Sequence, residues 1–227
     1  MNRQFQDRTE AGQLLARKLT AYANRSDVMV LALPRGGVPV AFEVAKALRV
    51  PLDICLVRKL GVPGRQELAM GAIAKEDVLV IDKEVLEWLS IPREVIEQVA
   101  TIERQELQRR DRIYRGNRSI PNVQRRTVIL VDDGIATGST VRAAIATLRQ
   151  HQPAQIVVAV PVASASTCKD LTTEVEKVVY VLAPEALGSI SCWYANFSQT
   201  TDEEVCSLLA QAHNGHTTAS PARNIPS

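Results

Sequence analysis

Two adjacent carboxylates followed by a run of glycine and hydroxyl side chains are the residues best placed to do chemistry. Asp132 and Asp133 come directly after the apolar stretch Thr127–Val131, and residues 134–140 add two glycines and three hydroxyl groups. Like charges this close repel each other by about 4 kcal/mol at an effective dielectric constant near 20. The pair therefore requires a cation or several hydrogen-bond donors, and ribose hydroxyls with a hydrated Mg2+ would meet that requirement.

The same run also predicts a site for a phosphate group. Thr127–Val131 has the apolar, β-favouring composition of a strand buried on both faces of a parallel sheet, and residues 141–149 have helical spacing. The first N–H groups of a helix have no partner within the helix, so they and the helix dipole favour an anion there. An ordinary Asx turn before a capped helix is the alternative, but it explains only one aspartate and one glycine.

The segment Val-Ile-Leu-Val-Asp-Asp-Gly-Ile-Ala-Thr-Gly-Ser-Thr, residues 128–140, resembles the phosphoribosyl diphosphate (PRPP) signature of type I phosphoribosyltransferases. The resemblance implies that Asp132 and Asp133 hold the ribose 2′- and 3′-hydroxyls and that the turn holds the 5′-phosphate. The residues that it assigns to the 5′-phosphate are Ala136, Thr137, Gly138, Ser139 and Thr140.

Ala136 bears on the identity of the acceptor. Where 6-oxopurine transferases have a third acid that serves as general base toward the nucleobase, this sequence has Ala136. Because a methyl group cannot accept a proton, a hypoxanthine or guanine acceptor is disfavoured. The Ala-Thr-Gly form is closer to adenine phosphoribosyltransferases, and the chain is similar to an uncharacterised bacterial branch of the family.

A second strand, turn and helix predict another anion site earlier in the chain. The apolar strand 28–33 leads through Pro-Arg-Gly-Gly into a helix at 38–48. Adjacent glycines let the backbone approach a ligand closely, and an arginine offers a forked donor for phosphate oxygens. A tight turn with a solvated arginine is the alternative. Beside the acidic motif, the resemblance implies that Arg35, Gly36 and Gly37 hold the diphosphate.

Two cations follow the third predicted strand, at 52–57. The segment 57–64 resembles the Arg-Lys-x-Gly-x-x-Pro-Gly segment of adenine phosphoribosyltransferases. The resemblance implies that Arg58 and Lys59 meet the diphosphate and that a mobile loop closes over the site; a surface loop with solvated cations is the alternative. The residues assigned to catalysis are Asp132, Asp133, Lys59 and Arg35.

Aromatic residues cluster near the C-terminal end of the chain. Trp193, Tyr194 and Phe197 are three of its nine aromatic residues. Purine transferases place a stacking aromatic after the last strand, so the resemblance implies base contacts from Trp193 and Tyr194, with Ile135 beside them. Stacking contributes about 1–3 kcal/mol per base. The alternative is a purely structural role, in which the aromatic residues only hold a C-terminal crossover in place. The sequence supports this alternative at least as well as base binding.

These motifs require a scaffold that sets strand ends side by side. Strands alternating with helices through short turns predict an α/β fold, a doubly wound and mostly parallel sheet of the type I phosphoribosyltransferase kind. Every motif follows a strand, at the end where ligands of such sheets bind. We expect one domain at 1–211, with a helical insertion or hood at 83–118 that could also serve as a dimer contact. Residues 212–227 are expected to be a disordered tail.

Composition argues against several other classes of protein. The 27 Lys and Arg residues nearly balance the 25 Asp and Glu residues. The net charge therefore does not predict binding to nucleic acid or to an anionic membrane. Four cysteines without a Cys-x-x-Cys motif favour reduced thiols over disulfides or zinc. No apolar run is long enough to span a bilayer. We expect a cytoplasmic homodimer with no membrane partner.

The sequence therefore predicts an enzyme, a pentosyltransferase that uses Mg2+ and PRPP in purine salvage. It would transfer ribose 5-phosphate to a nitrogenous base, with a purine-like acceptor favoured, and release diphosphate. The metal would lie near Asp132 and Asp133, held mainly through substrate and water. A non-catalytic sensor of PRPP or a nucleotide is the alternative, favoured by Ala136 and by four arginines without an assigned role: Arg115, Arg118, Arg125 and Arg126.

Overall fold

The computed structural model describes residues 4–74, 78–116 and 118–217, which form one parallel sheet, a smaller antiparallel sheet and seven α-helices. In chain order the elements are α1 (Arg8–Arg17), β1 (Val28–Ala32), α2 (Gly37–Leu48), β2 (Leu52–Ile54), β3 (Val57–Val62), β4 (Arg65–Ala74), β5 (Leu79–Ile81), α3 (Lys83–Leu89), α4 (Arg93–Arg115), β6 (Thr127–Val131), α5 (Ser139–Gln150), β7 (Gln155–Val162), α6 (Ala165–Leu171), β8 (Lys177–Leu182) and α7 (Asp202–Thr217). Short 3-10 turns cover Thr20–Tyr22 and Ile190–Trp193.

The central sheet has the order β2-β1-β6-β7-β8, and all of its strands are parallel. The chain passes from β1 to β2 on one side of β1 and then crosses to β6 on the other side. The direction of winding thus reverses between β1 and β6. In doubly wound sheets, ligands bind outside the carboxyl ends of the strands at this reversal, so the fold places the two predicted anion loops at that point.

Strand β1 shows why the strands of the central sheet have uninterrupted apolar sequences. All five of its residues are buried. Val28 and Val30 pack in one core with Leu15 of α1, whereas Met29 and Leu31 pack in a second core on the opposite face. Because both faces are covered by helices, the strand needs apolar residues at every position rather than at alternate ones. The predicted α/β class is confirmed.

The predicted third strand, 52–57, is wrong as a single element. Strand β2 ends at Ile54, and β3 begins at Val57 in the separate sheet β3-β4-β5. The predicted loop over the site lies largely in the β3–β4 hairpin, where Val62 pairs with Arg65. The whole run is apolar and β-favouring, and composition cannot reveal that the chain changes sheets within it. The sequence also predicts a β-hairpin of residues 68–74 and 77–82, and its turn at residues 75 and 76 lies outside the described residues.

The helical insertion is anchored to the central sheet by a buried cluster of charges. Helix α4 packs against β3, β4 and α7. Near its end, Arg115 donates to Asp111 at 2.6 Å, to Asp53 of β2 at 3.1 Å and to the carbonyl oxygen of Ile54 at 2.9 Å. The Arg115 side chain is 3% exposed. Arg115 is therefore an anchor of the insertion and not part of a basic surface.

The boundary predicted for the disordered tail is too early. Helix α7 continues through residues 212–217, and residues 218–227 lie outside the described part of the chain. Val205 and Leu209 are fully buried in the core shared with α2 and α4. The polar composition after residue 211 does not indicate a helix. The last turns are helical because they continue a segment that packs well against the core. Within the described ranges, no helix is long and apolar enough to cross a membrane.

Replacing Arg115 with methionine should destabilise the protein strongly. The change leaves Asp53 and Asp111 buried beside each other without their shared cation, which costs about 3–5 kcal/mol when one partner of a buried ion pair is lost. Urea unfolding followed by circular dichroism measures this cost.

Arg93→Gln is the matched control on the same helix. Arg93 pairs with Glu97, but the two side chains are 87% and 63% exposed, so the loss should stay below about 0.5 kcal/mol. Equal effects of the two substitutions would contradict the anchoring role of Arg115.

Candidate active site

The two predicted anion loops are in direct contact. Strands β1 and β6 pair in parallel, with Ala32 opposite Val131, so the loops that follow them leave the same edge of the sheet. A Cβ atom added to Gly36 would lie 2.0 Å from Asp133 Oδ2, and one added to Gly37 would lie 2.8 Å from the carbonyl oxygen of Val131. Only residues without side chains allow the loops to approach so closely. The two loops therefore lie against each other at one edge of the sheet.

Asp133 is held by a residue that the motifs did not reveal. Arg8, the first residue of α1, donates from Nε at 2.9 Å and from Nη2 at 2.8 Å to Asp133 Oδ2. The two side chains are only 12% and 14% exposed. Asp7 caps the start of this helix, since Asp7 Oδ1 accepts from the backbone N–H of Glu10. Arg8 and Asp133 are 125 positions apart, so no spacing rule could have paired them.

The acidic pair is strained electrostatically by its surroundings. Burial, and then the charge of Asp133, raise the pKa of Asp132 well above its usual range. Burial also raises the pKa of Asp133, and Arg8 opposes that rise. Two hydrogen bonds fix the backbone here: the N–H of Asp133 donates to Asp132 Oδ1 at 2.9 Å, and the Tyr194 hydroxyl donates to the carbonyl oxygen of Asp133 at 2.5 Å. The pair is thus poised to gain from further donors or positive charge.

The turn after the acidic pair has the features of a phosphate cradle. Gly138 adopts a φ of 79°, a left-handed conformation that favours glycine, and α5 starts at the next residue without an acidic side chain in its first turn. The Thr137 and Ser139 hydroxyls lie 3.1 Å apart at the helix start. The loop backbone is held from outside, because Thr167 Oγ1 donates to the carbonyl oxygen of Ala136 and Arg142 Nη1 donates to that of Thr137. Ala136, Thr137 and Thr140 are exposed.

Two of the predicted diphosphate cations, Arg35 and Arg58, are paired with acidic residues of the last helix and the insertion. Arg35 Nη1 lies 3.6 Å from Asp202 Oδ1 at the start of α7, and the Pro34–Arg35 peptide bond is cis. Arg58 Nε lies 2.5 Å from Glu103 Oε2 of α4. Lys59 is in β3, opposite Ala72 of β4. Arg35, Gly36 and Gly37 thus belong to the loop beside the acidic pair, whereas Arg58 and Lys59 stand on the separate hairpin.

The three predicted base-binding side chains lie in the protein interior. Trp193 is 7% exposed, and its indole N–H donates to the carbonyl oxygen of Leu187 at 2.9 Å. The Tyr194 ring packs against Phe5 and Phe197, with centroids 5.3 and 4.9 Å away. Ile135 is 2% exposed within the core. This arrangement agrees with the alternative, in which the aromatic residues pin a C-terminal crossover. Tyr194 contacts the acidic pair through its hydroxyl, and its ring centroid lies 5.9 Å from the guanidinium carbon of Arg8.

The donor set fits a magnesium ion that is bound mainly by substrate. Among the described residues, no group of three or more His, Cys, Asp or Glu side chains could hold a metal on its own. Asp132 and Asp133 offer carboxylates, but Oδ2 of Asp133 is already bound by Arg8. Mg2+ commonly keeps several waters and uses one or two carboxylates together with substrate phosphates. The pair could hold the ion in that way.

Comparisons with known proteins identify the family and the fold of the chain. Residues 4–183 match the family described as "Phosphoribosyl transferase domain". Over 210 residues, 92% of this chain, the sequence is 42% identical to a Mycobacterium tuberculosis protein named "Putative phosphoribosyl transferase Rv0571c", of which the match covers 47%. The chain thus spans about half the length of that relative. The crystal structure of the Thermus thermophilus protein TT1426 has a TM-score of 0.83 and 38% identity, over 92% of this chain and 98% of that one.

Replacing Gly36 with alanine tests whether the loop contact is required. The φ of Gly36 is −60°, so alanine suits the backbone and would stabilise an open position by about 0.4–1 kcal/mol. Here the methyl group meets Asp133 Oδ2 and should break its contact with Arg8. We expect a loss of about 1–3 kcal/mol in the free energy of unfolding.

The same substitution in an Asp133→Ala background provides the control. With the carboxylate removed, the added methyl group has room, and Gly36→Ala should be neutral or stabilising in urea unfolding. A stabilising effect in the otherwise wild-type chain would show that the loops do not touch in solution.

Proposed function

The chain belongs to the phosphoribosyl transferase family, and on that basis we propose that it transfers ribose 5-phosphate from PRPP to a nitrogenous base and releases diphosphate. The observation that carries the proposal is the contact between Gly36 and Asp133. It joins a phosphate cradle, an acidic pair and a glycine loop at one sheet edge. A sugar that carries a phosphate at one end and a diphosphate at the other matches that arrangement.

Each part of the site has a role in this reaction. Asp132 and Asp133 accept hydrogen bonds from the ribose hydroxyls, and Ala136 through Thr140 hold the 5′-phosphate by backbone N–H groups and hydroxyls. Arg35 with Gly36 and Gly37 hold the diphosphate. Their donors stabilise the charge that collects on the departing diphosphate. The carboxylates lie beside the ribose, where they stabilise the positive charge that develops at C1.

The hairpin residues Arg58 and Lys59 complete the proposed diphosphate site. Both stand on β3, and Arg58 is tied to Glu103 of α4. To reach the diphosphate, the hairpin and the insertion would have to close over the loop as a unit. Mg2+ would enter with PRPP, as part of the substrate. The purine-like acceptor and the homodimer are part of the same proposal.

A sensor that binds PRPP or a nucleotide without catalysis is the second candidate function. Two observations favour it: Ala136 presents a methyl group where a general base could stand, and the aromatic side chains assigned to the base are buried. The arginines that suggested a partner surface support it less, because Arg115 is buried and Arg118 donates to the carbonyl oxygens of Arg115 and Tyr114.

Release of diphosphate separates an enzyme from a sensor. The protein is mixed with Mg-PRPP and, in turn, adenine, guanine, hypoxanthine, uracil and orotate, and diphosphate is measured by a coupled assay. We expect release with at least one base, adenine first, well above a reaction without base. Calorimetry on the same samples reports PRPP binding. Binding without release for every base would favour the sensor, and no binding would contradict both functions.

Asp133→Asn should abolish turnover while the fold remains intact. The amide cannot supply the negative charge beside the ribose, so kcat/KM should fall by about 100-fold or more. The substitution relieves the repulsion between the two adjacent carboxylates but also removes the charged partner of Arg8. Because these two effects on stability oppose each other, the melting temperature should change little. Asp27→Asn is the control, since Asp27 pairs with Arg25 on the surface and is half exposed. Wild-type kinetics in Asp133→Asn would refute the assignment of the ribose site.

A further inference from the structure

We infer that Arg8 is a positioning residue for the ribose-binding carboxylate of Asp133, contributed by a helix outside every motif of the site. The inference rests on the proposed function, because it adds a residue to that site. Its basis is geometric: Arg8 and Asp133 form a contact of two hydrogen bonds between side chains that are largely buried.

The contact selects which oxygen of Asp133 is available to a ligand. Both N–H groups of Arg8 reach the same atom, Oδ2. On its other side, that atom lies against Gly36, since a Cβ added there would come within 2.0 Å of Oδ2 and 3.3 Å of Arg8 Nη2. Oδ2 is thus enclosed between the helix and the diphosphate loop. Oδ1 takes no part in this contact, and it is the oxygen that accepts the ribose hydroxyl.

Arg8 is itself held in place by the C-terminal segment. Its Nη1 donates to the carbonyl oxygen of Ser198 at 2.7 Å, and its guanidinium carbon lies 4.0 Å from the centroid of the Phe197 ring. The same segment is tied to the start of the chain, because the N–H of Phe5 donates to Trp193 and the N–H of Ala195 donates to Phe5. Ser198 and Phe197 lie beyond the family match at 4–183. This part of the chain therefore supports the site through Arg8.

A fixed cation prepares the site before the substrate arrives. When both carboxyl groups are ionised, Asp132 and Asp133 carry two negative charges, and Arg8 balances one of them through Oδ2 of Asp133. Groups that are already oriented need no rearrangement during the reaction, and misplacement by about 1 Å can cost 100-fold in rate. Arg8 acts through Asp133 and does not touch the substrate.

Calorimetric titration with Mg-PRPP tests the inference on Arg8→Gln and Arg8→Lys. Arg8→Gln removes the charged hydrogen bonds from Arg8 to Asp133. We therefore expect it to weaken PRPP binding about 10- to 100-fold. Arg8→Lys should recover part of that loss, because it keeps the charge but not the paired N–H groups. Arg25→Gln should bind like the wild type. It is a matched control because Arg25 also pairs with an aspartate and lies 5.7 Å from a tyrosine ring, but on the surface.

A double-mutant cycle distinguishes positioning from general support of the fold. If Arg8 acts through Asp133, then Arg8→Gln should have no further effect on binding in an Asp133→Asn background. The same loss in both backgrounds would overturn the inference. Unchanged binding by Arg8→Gln in the otherwise wild-type chain would also overturn it, while the proposed function would stand.

A crystal structure of Arg8→Gln decides the matter even if the wild type binds no PRPP. Absence of wild-type binding would contradict the proposed function, yet the position of the Asp133 carboxylate could still be compared. A carboxylate that turns away from Gly36 supports the inference. One that keeps its place without Arg8 overturns it.

Discussion

The balance of charge around Asp133 is the constraint on which the site depends. Two carboxylates follow β6 directly, and both are largely withdrawn from water, so their repulsion must be offset within the protein. Arg8 supplies the offset from α1, and Gly36 leaves the space in which the two side chains meet. The order of the sheet makes this possible, because β1 and β6 are neighbours whose loops leave the same edge. A larger residue at Gly36 or a neutral one at position 8 would separate these parts.

The insertion and the last helix are connected to the same site by polar contacts. Arg35 of the glycine loop approaches Asp202 of α7, and that carboxylate also accepts a hydrogen bond from Tyr114 of α4. Arg58 of the hairpin pairs with Glu103 of α4. The elements that would grip the diphosphate are therefore linked to the hood, and movement of the hood would carry them with it.

Local patterns in the sequence predict the elements and the two loops. They do not predict contacts between segments that are far apart in the chain. The strand Thr127–Val131 is predicted with its observed bounds, because an apolar run between turn residues is recognisable by itself. The split of 52–57 between two sheets and the pairing of Arg8 with Asp133 depend on tertiary packing. Trp193 and Tyr194 were identified as a cluster, yet only the structure reveals that their rings face the core.

We propose that two loops at neighbouring strand ends bind opposite ends of one sugar phosphate above the acidic pair. A crystal structure of the protein with Mg2+ and PRPP tests it most directly. The account predicts a single PRPP molecule whose 5′-phosphate lies on residues 136–140, whose diphosphate lies on residues 35–37, and whose ribose hydroxyls reach Asp132 and Asp133. A PRPP molecule that contacts only one of the loops, or that binds away from the aspartates, would contradict it.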